Sequence, residues 1–160
     1  MLRIETEGLH PSSVSCLEAL HWLHERENFR NILEIGCGNG ILSATAAGIW
    51  DTRVLAADIS EKAVEDTRAN SKAHGLQDQI SVVRSDAFSH PDIKKNAPYD
   101  LIICNLLAEL QARIARDIKK YVTPDGYAIL SGILAWKGTE TEDAYTGLGF
   151  ETAYKISNSP

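Results

Sequence analysis

The stretch Asn31-Ile-Leu-Glu-Ile35, Gly36-Cys-Gly38-Asn-Gly40 and Ile41 to Ile49 constrains the fold more than any other part of the chain. Five residues of strand character run into three alternating glycines, and an apolar helical segment follows at once. A strand, a tight turn and a helix in that order open a βαβ unit, which must return to a parallel strand. Arg53-Val-Leu-Ala-Ala-Asp58 supplies that strand, and the charged amphipathic segment Ser60 to His74 supplies the next covering helix. Ile80-Ser-Val-Val-Arg84 reads as a third strand. Asp100-Leu-Ile-Ile-Cys104 is the most apolar candidate, and its unbroken character suits a central strand buried on both faces. Leu107, Leu110, Ile114 and Ile118 then recur at helical spacing within Leu106 to Tyr121, and Thr123-Pro-Asp-Gly126 signals a turn before a fifth strand, Tyr127 to Leu130. A short helix near Thr139 to Leu148 and a last strand near Phe150 to Ile156 close the pattern. Ahead of all these, residues 13 to 26 place Val14, Leu17, Leu20, Trp22 and Leu23 on one side of a helix, with Ser12 or Ser13 as its cap.

The alternation predicts an α/β fold: a Rossmann-like, mostly parallel sheet in three α/β/α layers. At 160 residues the chain reads as a single domain, 1–160, with residues 1–13 as a lid or entry segment and a frayed tail at Ser157 to Pro160. The last strand would be an edge in need of cover, so either a terminal strand is lacking or a dimer covers that edge. Three cysteines, Cys16, Cys37 and Cys104, form neither an even disulfide framework nor a paired metal-ligand set, which favours a reducing, cytoplasmic setting without structural zinc. No apolar run reaches membrane-spanning length, so no membrane partner is expected. The net charge of -6 weakens a case for non-specific binding to nucleic-acid phosphates.

The glycine turn sorts the ligand classes. After Gly36 and Gly38 the third glycine of a dinucleotide fingerprint is missing, because Ile41 and Leu42 follow Gly40, and no Lys-Ser/Thr pair follows to make a nucleotide phosphate loop. What stays open is a ligand approached closely by backbone at a helix N-terminus. Asp58 ends the second strand, where its carboxylate either accepts hydrogen bonds from two ribose hydroxyls or caps the following helix. Asp86 is expected at the end of the third strand, presenting a carboxylate to adenine beside Ala87 and the apolar wall of Phe88, or forming a plain surface turn. Glu34 either steadies the glycine-loop amides or faces a cationic group of the ligand. Asn105 lies where the central strand reaches its carboxyl edge, the place where open α/β sheets bind ligands, although a helix cap is compatible with it too. Trp22 and Trp50 read as packing residues, whereas Trp136 is placed to edge an acceptor crevice. Lys94-Lys95 and Lys119-Lys120 read as solvated faces.

These residues together resemble a class I S-adenosylmethionine-dependent methyltransferase, and within that class the ribosomal protein L11 methyltransferase family. The resemblance is carried by Gly8-Leu-His-Pro-Ser-Ser13, Leu33-Glu-Ile-Gly-Cys-Gly-Asn-Gly-Ile-Leu42, Ala57-Asp58-Ile59, Asn105-Leu-Leu-Ala108 and Leu130-Ser-Gly-Ile-Leu134, in that order, over roughly residues 8 to 156. It implies S-adenosyl-L-methionine as cofactor, S-adenosyl-L-homocysteine as product, and a protein amine as acceptor. The cofactor-binding set it implies is Ser13, Glu34, Gly36, Cys37, Gly38, Gly40, Asp58, Ile59, Asp86, Ala87 and Asn105. Asn105 would orient the acceptor amine and His10 would accept a proton. The chain departs from the family at Ser12-Ser13, where paired threonines are usual, at Leu106-Leu107, and in lacking the family's N-terminal recognition domain. Acceptor recognition by a homodimer partner or a separate subunit is therefore expected. A small-molecule or nucleic-acid acceptor, or an inactive cofactor-binding interaction module, are the alternatives.

Overall fold

The structure is a computed structural model and describes residues 7–156. Residues 1–6 of the expected entry segment and the tail 157–160 lie outside the described residues. The elements run α1 (Pro11–His24), β1 (Asn31–Ile35), α2 (Ile41–Trp50), β2 (Arg53–Asp58), α3 (Glu61–Ala73), β3 (Ile80–Arg84), α4 (Pro91–Lys95), β4 (Tyr99–Asn105), α5 (Ala108–Tyr121), β5 (Val122–Ser131), a 3-10 turn (Ala135–Lys137) and α6 (Gly138–Thr146).

The strands form one sheet in the order β3-β2-β1-β4-β5, with every pair parallel. Alternate side chains feed two cores. Ile32, Leu101 and Ile103 pack with Cys16, Leu20, Ala46 and Val64 from α1 to α3. Leu33, Ile102 and Cys104 pack with Ile93, Ile114, Ile118 and Tyr145 from α4 to α6. Two buried faces on one parallel sheet give the Rossmann-like, three-layer α/β/α arrangement that the alternation predicts. From β1 the chain winds outward through β2 and β3, then crosses back to β4 on the other side of β1. That reversal splays the chain at the carboxyl ends of β1 and β4 and leaves a crevice between them.

Several expectations change. β1 is the middle strand, and β4 is interior beside it rather than central. The N-terminal helix starts at Pro11, whose missing N–H and fixed φ suit a first helical position. Its cap is His10, whose Nδ1 accepts from the Ser12 N–H at 3.2 Å, so Ser12 and Ser13 lie inside the helix rather than capping it. The apolar stripe of α5 is rotated: Leu107 and Leu110 are exposed, while Ala108, Gln111, Ile114, Ala115 and Ile118 are buried. The Thr123 to Gly126 turn is a bulge inside β5, where β4 advances from Tyr99 to Leu101 while β5 advances from Val122 to Tyr127. Gly126 permits it, since a Cβ there would meet the Asp100 carbonyl at 3.0 Å. The short helix α4 had no periodic signal in so few residues. The expected strand over Phe150 to Ile156 does not form. Side chains hold that segment instead: Tyr154 stacks on Trp22 at 4.9 Å, and Thr152 and Lys155 both bond to Glu142.

Candidate functional site

The crevice is built on the glycine turn. Gly36, Gly38 and Gly40 have φ of 80°, 55° and 81°, in the left-handed region where a side chain is strained. Packing closes two of the three as well. A Cβ on Gly36 would lie 2.5 Å from Leu106 Cδ2, and one on Gly40 would lie 2.7 Å from Thr67 Cγ2. Gly38 faces open space, with nothing within 4 Å of a Cβ. The turn is held from both sides: the Gly36 and Cys37 amides donate to Ala57 O, and Thr67 Oγ1 donates to Gly38 O at 3.0 Å. Asn39 and Thr67, which give no separate signal in the sequence, are part of this cradle. Asn39 Oδ1 accepts from the Ile41 amide, and Asn70 Nδ2 donates to Asn39 O.

Asp58 is fixed against the turn from the end of β2. Its Oδ2 accepts from the Gly38 amide at 3.0 Å and its Oδ1 from the Ser60 amide at 2.9 Å, leaving further lone pairs on each oxygen. It is not the cap of α3, because Ser60 occupies that position. Ile59 beside it is 62% exposed, an apolar side chain with no core to fill.

Glu34 is bonded to the start of α2. It is 1% exposed, and Ser43 in the first turn of α2 donates its hydroxyl to Oε2 in a very short hydrogen bond. Because Gly40 offers no side chain to cap α2, the Glu34 carboxyl serves that helix end from the neighbouring strand. Burial pushes its pKa up to about 8, against the lowering effect of Ser43 and with a further upward push from Asp58. Cys37 turns inward, its Sγ 3.3 Å from Thr67 Oγ1, so only its backbone faces the crevice. Burial pushes the Cys16 and Cys37 thiols up to about 12 and Cys104 higher, which removes thiolate chemistry at neutral pH.

Across the crevice, Asn105 ends β4. Its Nδ2 donates to Ser13 Oγ at 3.2 Å, while the cap position of α5 belongs to Leu107. Asn105 Oδ1 faces Gly132, where a Cβ would intrude to 3.1 Å, so the missing side chain keeps that oxygen uncovered. Ser131 Oγ donates to Ser12 O at 2.9 Å, a second tie between the start of α1 and the strand ends. His10 is exposed, and the Ser12 N–H directed at Nδ1 places the neutral ring's proton on Nε2.

Ser13, Glu34, Gly36, Cys37, Gly38 and Asn105 line one cleft of about 210 Å³, together with Asn39, Ile41 and Leu42. Gly40, Asp58, Ile59, Asp86, Ala87 and His10 stand outside that lining. Asp86 lies two residues past β3 rather than ending it, and it pairs with Arg113 at 3.4 Å on the surface. Phe88 stacks on Tyr121 in the core instead of walling the site. Ala87 adopts φ of 46°, held by Ser85 Oγ donating to its carbonyl at 2.7 Å. Trp136 is 75% exposed at the 3-10 turn after β5.

A protein-family model described as ribosomal protein L11 methyltransferase (PrmA) matches residues 6–159. A ribosomal protein L11 methyltransferase of Mesorhizobium japonicum is 34% identical over 143 residues, which cover 89% of this chain and 49% of that protein. The protein of the same name from a Caulobacter species is 32% identical over 160 residues, covering 97% of this chain and 55% of its own length. The chain thus spans about half the length of the curated relatives it matches. The crystal structure of ribosomal protein L11 methylase from Lactobacillus delbrueckii subsp. bulgaricus shares the fold with a TM-score of 0.85 at 23% identity, over 98% of this chain and 78% of that one.

Proposed function

Because the chain belongs to the ribosomal protein L11 methyltransferase family, we propose that it is an S-adenosylmethionine-dependent N-methyltransferase acting on a protein amine. The observation that carries this reading is the meeting, at one cleft, of a left-handed glycine turn and the Asn105–Ser13 pair, with the Asp58 carboxylate fixed to the amide of the open glycine just outside the lining. The donor set fits that cofactor. Backbone approaches without side chains at Gly36, Gly38 and Gly40, and Asp58 keeps lone pairs for a ribose diol. At about 210 Å³ the cleft is smaller than the roughly 300–1,000 Å³ of an enclosed site for a drug-sized ligand, so the nucleoside half is assigned to the open surface by Asp58, Ile59, Asp86 and Ala87.

When bound, S-adenosylmethionine supplies an electrophilic methyl group and departs as S-adenosylhomocysteine. The chain's task is then to align a neutral amine in line with that methyl and to exclude water from the approach. Asn105 is assigned the alignment: its amide nitrogen is committed to Ser13, which leaves Oδ1 to accept an N–H of the amine. Glu34 is assigned to setting α2 under the turn. His10, with Nδ1 committed to the helix cap, is assigned to anchoring α1 in place of accepting the proton. The net charge of -6 suits a basic protein segment better than a phosphate backbone.

Incubating the protein with isotopically labelled S-adenosylmethionine and cell extract, then analysing protein, small-molecule and nucleic-acid fractions by mass spectrometry, tests this. Label on a protein amine is expected. Label confined to another fraction overturns the acceptor class, and saturable cofactor binding with no label in any fraction would favour a binding module.

A further inference from the structure

Gln111 is fully buried, yet it sits on the apolar stripe of α5 between Ala108 and Ile114. Its side-chain nitrogen donates to Leu106 O at 2.6 Å and to Ser131 O at 2.5 Å. Two carbonyl acceptors require both amide protons, which fixes the orientation of the side chain. The consequence is that Gln111 Oε1 is the one buried side-chain oxygen or nitrogen without a hydrogen-bond partner among the described residues. An apolar side chain of similar volume would remove the orphaned Oε1 but take the donor away from Leu106 O, so the glutamine answers to the strand-end carbonyls rather than to the apolar stripe it sits on.

What the two bonds join is informative. Leu106 O and Ser131 O lie at the carboxyl ends of adjacent strands, β4 and β5, and the Leu106 amide also donates to Ser131 O at 3.1 Å. Leu106 is the residue whose side chain stands 2.5 Å from a Cβ built on Gly36, so it roofs the first glycine of the turn. A Cβ on Gly132 would meet Leu106 O at 2.8 Å, so the same carbonyl is packed against the glycine after β5. Ser131 reaches Ser12 through its hydroxyl, and Asn105, beside Leu106, reaches Ser13. From below, Tyr145 of α6 donates its hydroxyl to Gln111 O at 3.0 Å, bracing the helix that carries the clamp.

We propose that Gln111 is a positioning residue that clamps the ends of β4 and β5 and thereby sets Asn105, which lines the cleft, and Leu106, which packs on Gly36, against the glycine turn. Its functional half rests on the methyltransferase reading; its structural half does not. Gln111 is not among the residues that line the cleft and acts through Leu106 and Ser131. The amide gives both its protons to carbonyls at the ends of β4 and β5 and leaves its own oxygen without a partner.

The test is Gln111→Met, which keeps length and volume but removes both donors. Three quantities are read: the urea midpoint, amide hydrogen exchange at Leu106 against Ile103 within β4, and calorimetric binding of S-adenosylhomocysteine. The expected result is a midpoint lowered by no more than one or two lost hydrogen bonds, Leu106 exchange faster by about tenfold beyond any change at Ile103, and S-adenosylhomocysteine binding weaker by about tenfold. Leu106 and Ile103 accelerating together in proportion to a lower midpoint would reduce Gln111 to an ordinary stabilising residue and overturn the proposal, as would unchanged exchange at Leu106. Should the unsubstituted protein fail to bind S-adenosylhomocysteine, the methyltransferase reading falls and the exchange at Leu106 still decides the clamp. If Gln111→Met does not fold, Gln111→Glu replaces it. The ionised carboxylate has no proton to give, whereas the protonated acid regains one donor, so Leu106 protection should return on acidification, and its failure to return would count against the clamp.

Discussion

Replacing Glu34 by glutamine should change how stability depends on pH more than it changes the fold. Glu34 is 1% exposed, and its pKa is raised from 4.5 to about 8, chiefly by burial. The groups that bear on it are the Ser43 hydroxyl and amide, which favour ionisation, and the Asp58 carboxylate, which opposes it. The folded chain therefore keeps this proton up to about pH 8, while the unfolded chain releases it near pH 4.5. Between those values the unfolded state binds fewer protons, so stability falls as pH rises. The protonated group's contribution is fully present below the lower value and lost as pH climbs through the upper one. The slope is about 1.4 kcal/mol per pH unit, and the whole window amounts to on the order of 5 kcal/mol. That is a large share of the roughly 5–15 kcal/mol that holds a domain of this size together. Glutamine keeps the shape and a partner for Ser43 but does not titrate. Urea denaturation of both proteins from about pH 5 to about pH 8 should show Glu34→Gln gaining on the parent by about 1.4 kcal/mol per unit. Parallel stability profiles would refute the buried, proton-holding Glu34.

Two further substitutions probe the frame of the site. Gly40→Ala forces a side chain into φ of 81° and against Thr67 Cγ2 at 2.7 Å, so urea denaturation should show a loss of about 2 kcal/mol. Unchanged stability would mean the turn does not need its left-handed glycine. Asp100→Ala removes a carboxylate that accepts from the Arg30 amide at 2.7 Å and the Asn31 amide at 3.0 Å, anchoring the start of β1 to β4. A loss of about 2 kcal/mol is expected from hydrogen bonds to a charged acceptor, and a loss within experimental scatter would contradict that anchoring role.

Much of the fold is legible because it is written in local pattern. β1, β2 and β3 emerge at Asn31–Ile35, Arg53–Asp58 and Ile80–Arg84, where short apolar runs end at glycine or charge. Errors gather where tertiary contacts override that pattern. Leu107 and Leu110 repeat at helical spacing but face outward, because Leu107 is the cap of α5 and the buried stripe begins one residue later with Ala108. Thr123 to Gly126 does turn, but neighbouring strand pairing on both sides makes it a bulge. Phe150 to Ile156 has strand composition yet is held by Trp22 and Glu142 through side chains, which no periodicity reports. At the site, the residues whose backbone shapes the cleft are readable from glycine spacing. The partners that fix the site, Ser43 for Glu34, Thr67 for Gly38 and Gln111 for Leu106, are contacts whose identity depends on how the elements pack.

Calorimetric titration of the folded protein with S-adenosylmethionine and S-adenosylhomocysteine, alongside Asp58→Ala, tests the central claim most directly. The account predicts saturable binding of both at one site per chain, weakened by about tenfold to a hundredfold in the variant, the scale of hydrogen bonds to a charged group. Absence of saturable binding in the folded parent, or equal affinity in Asp58→Ala, would contradict it.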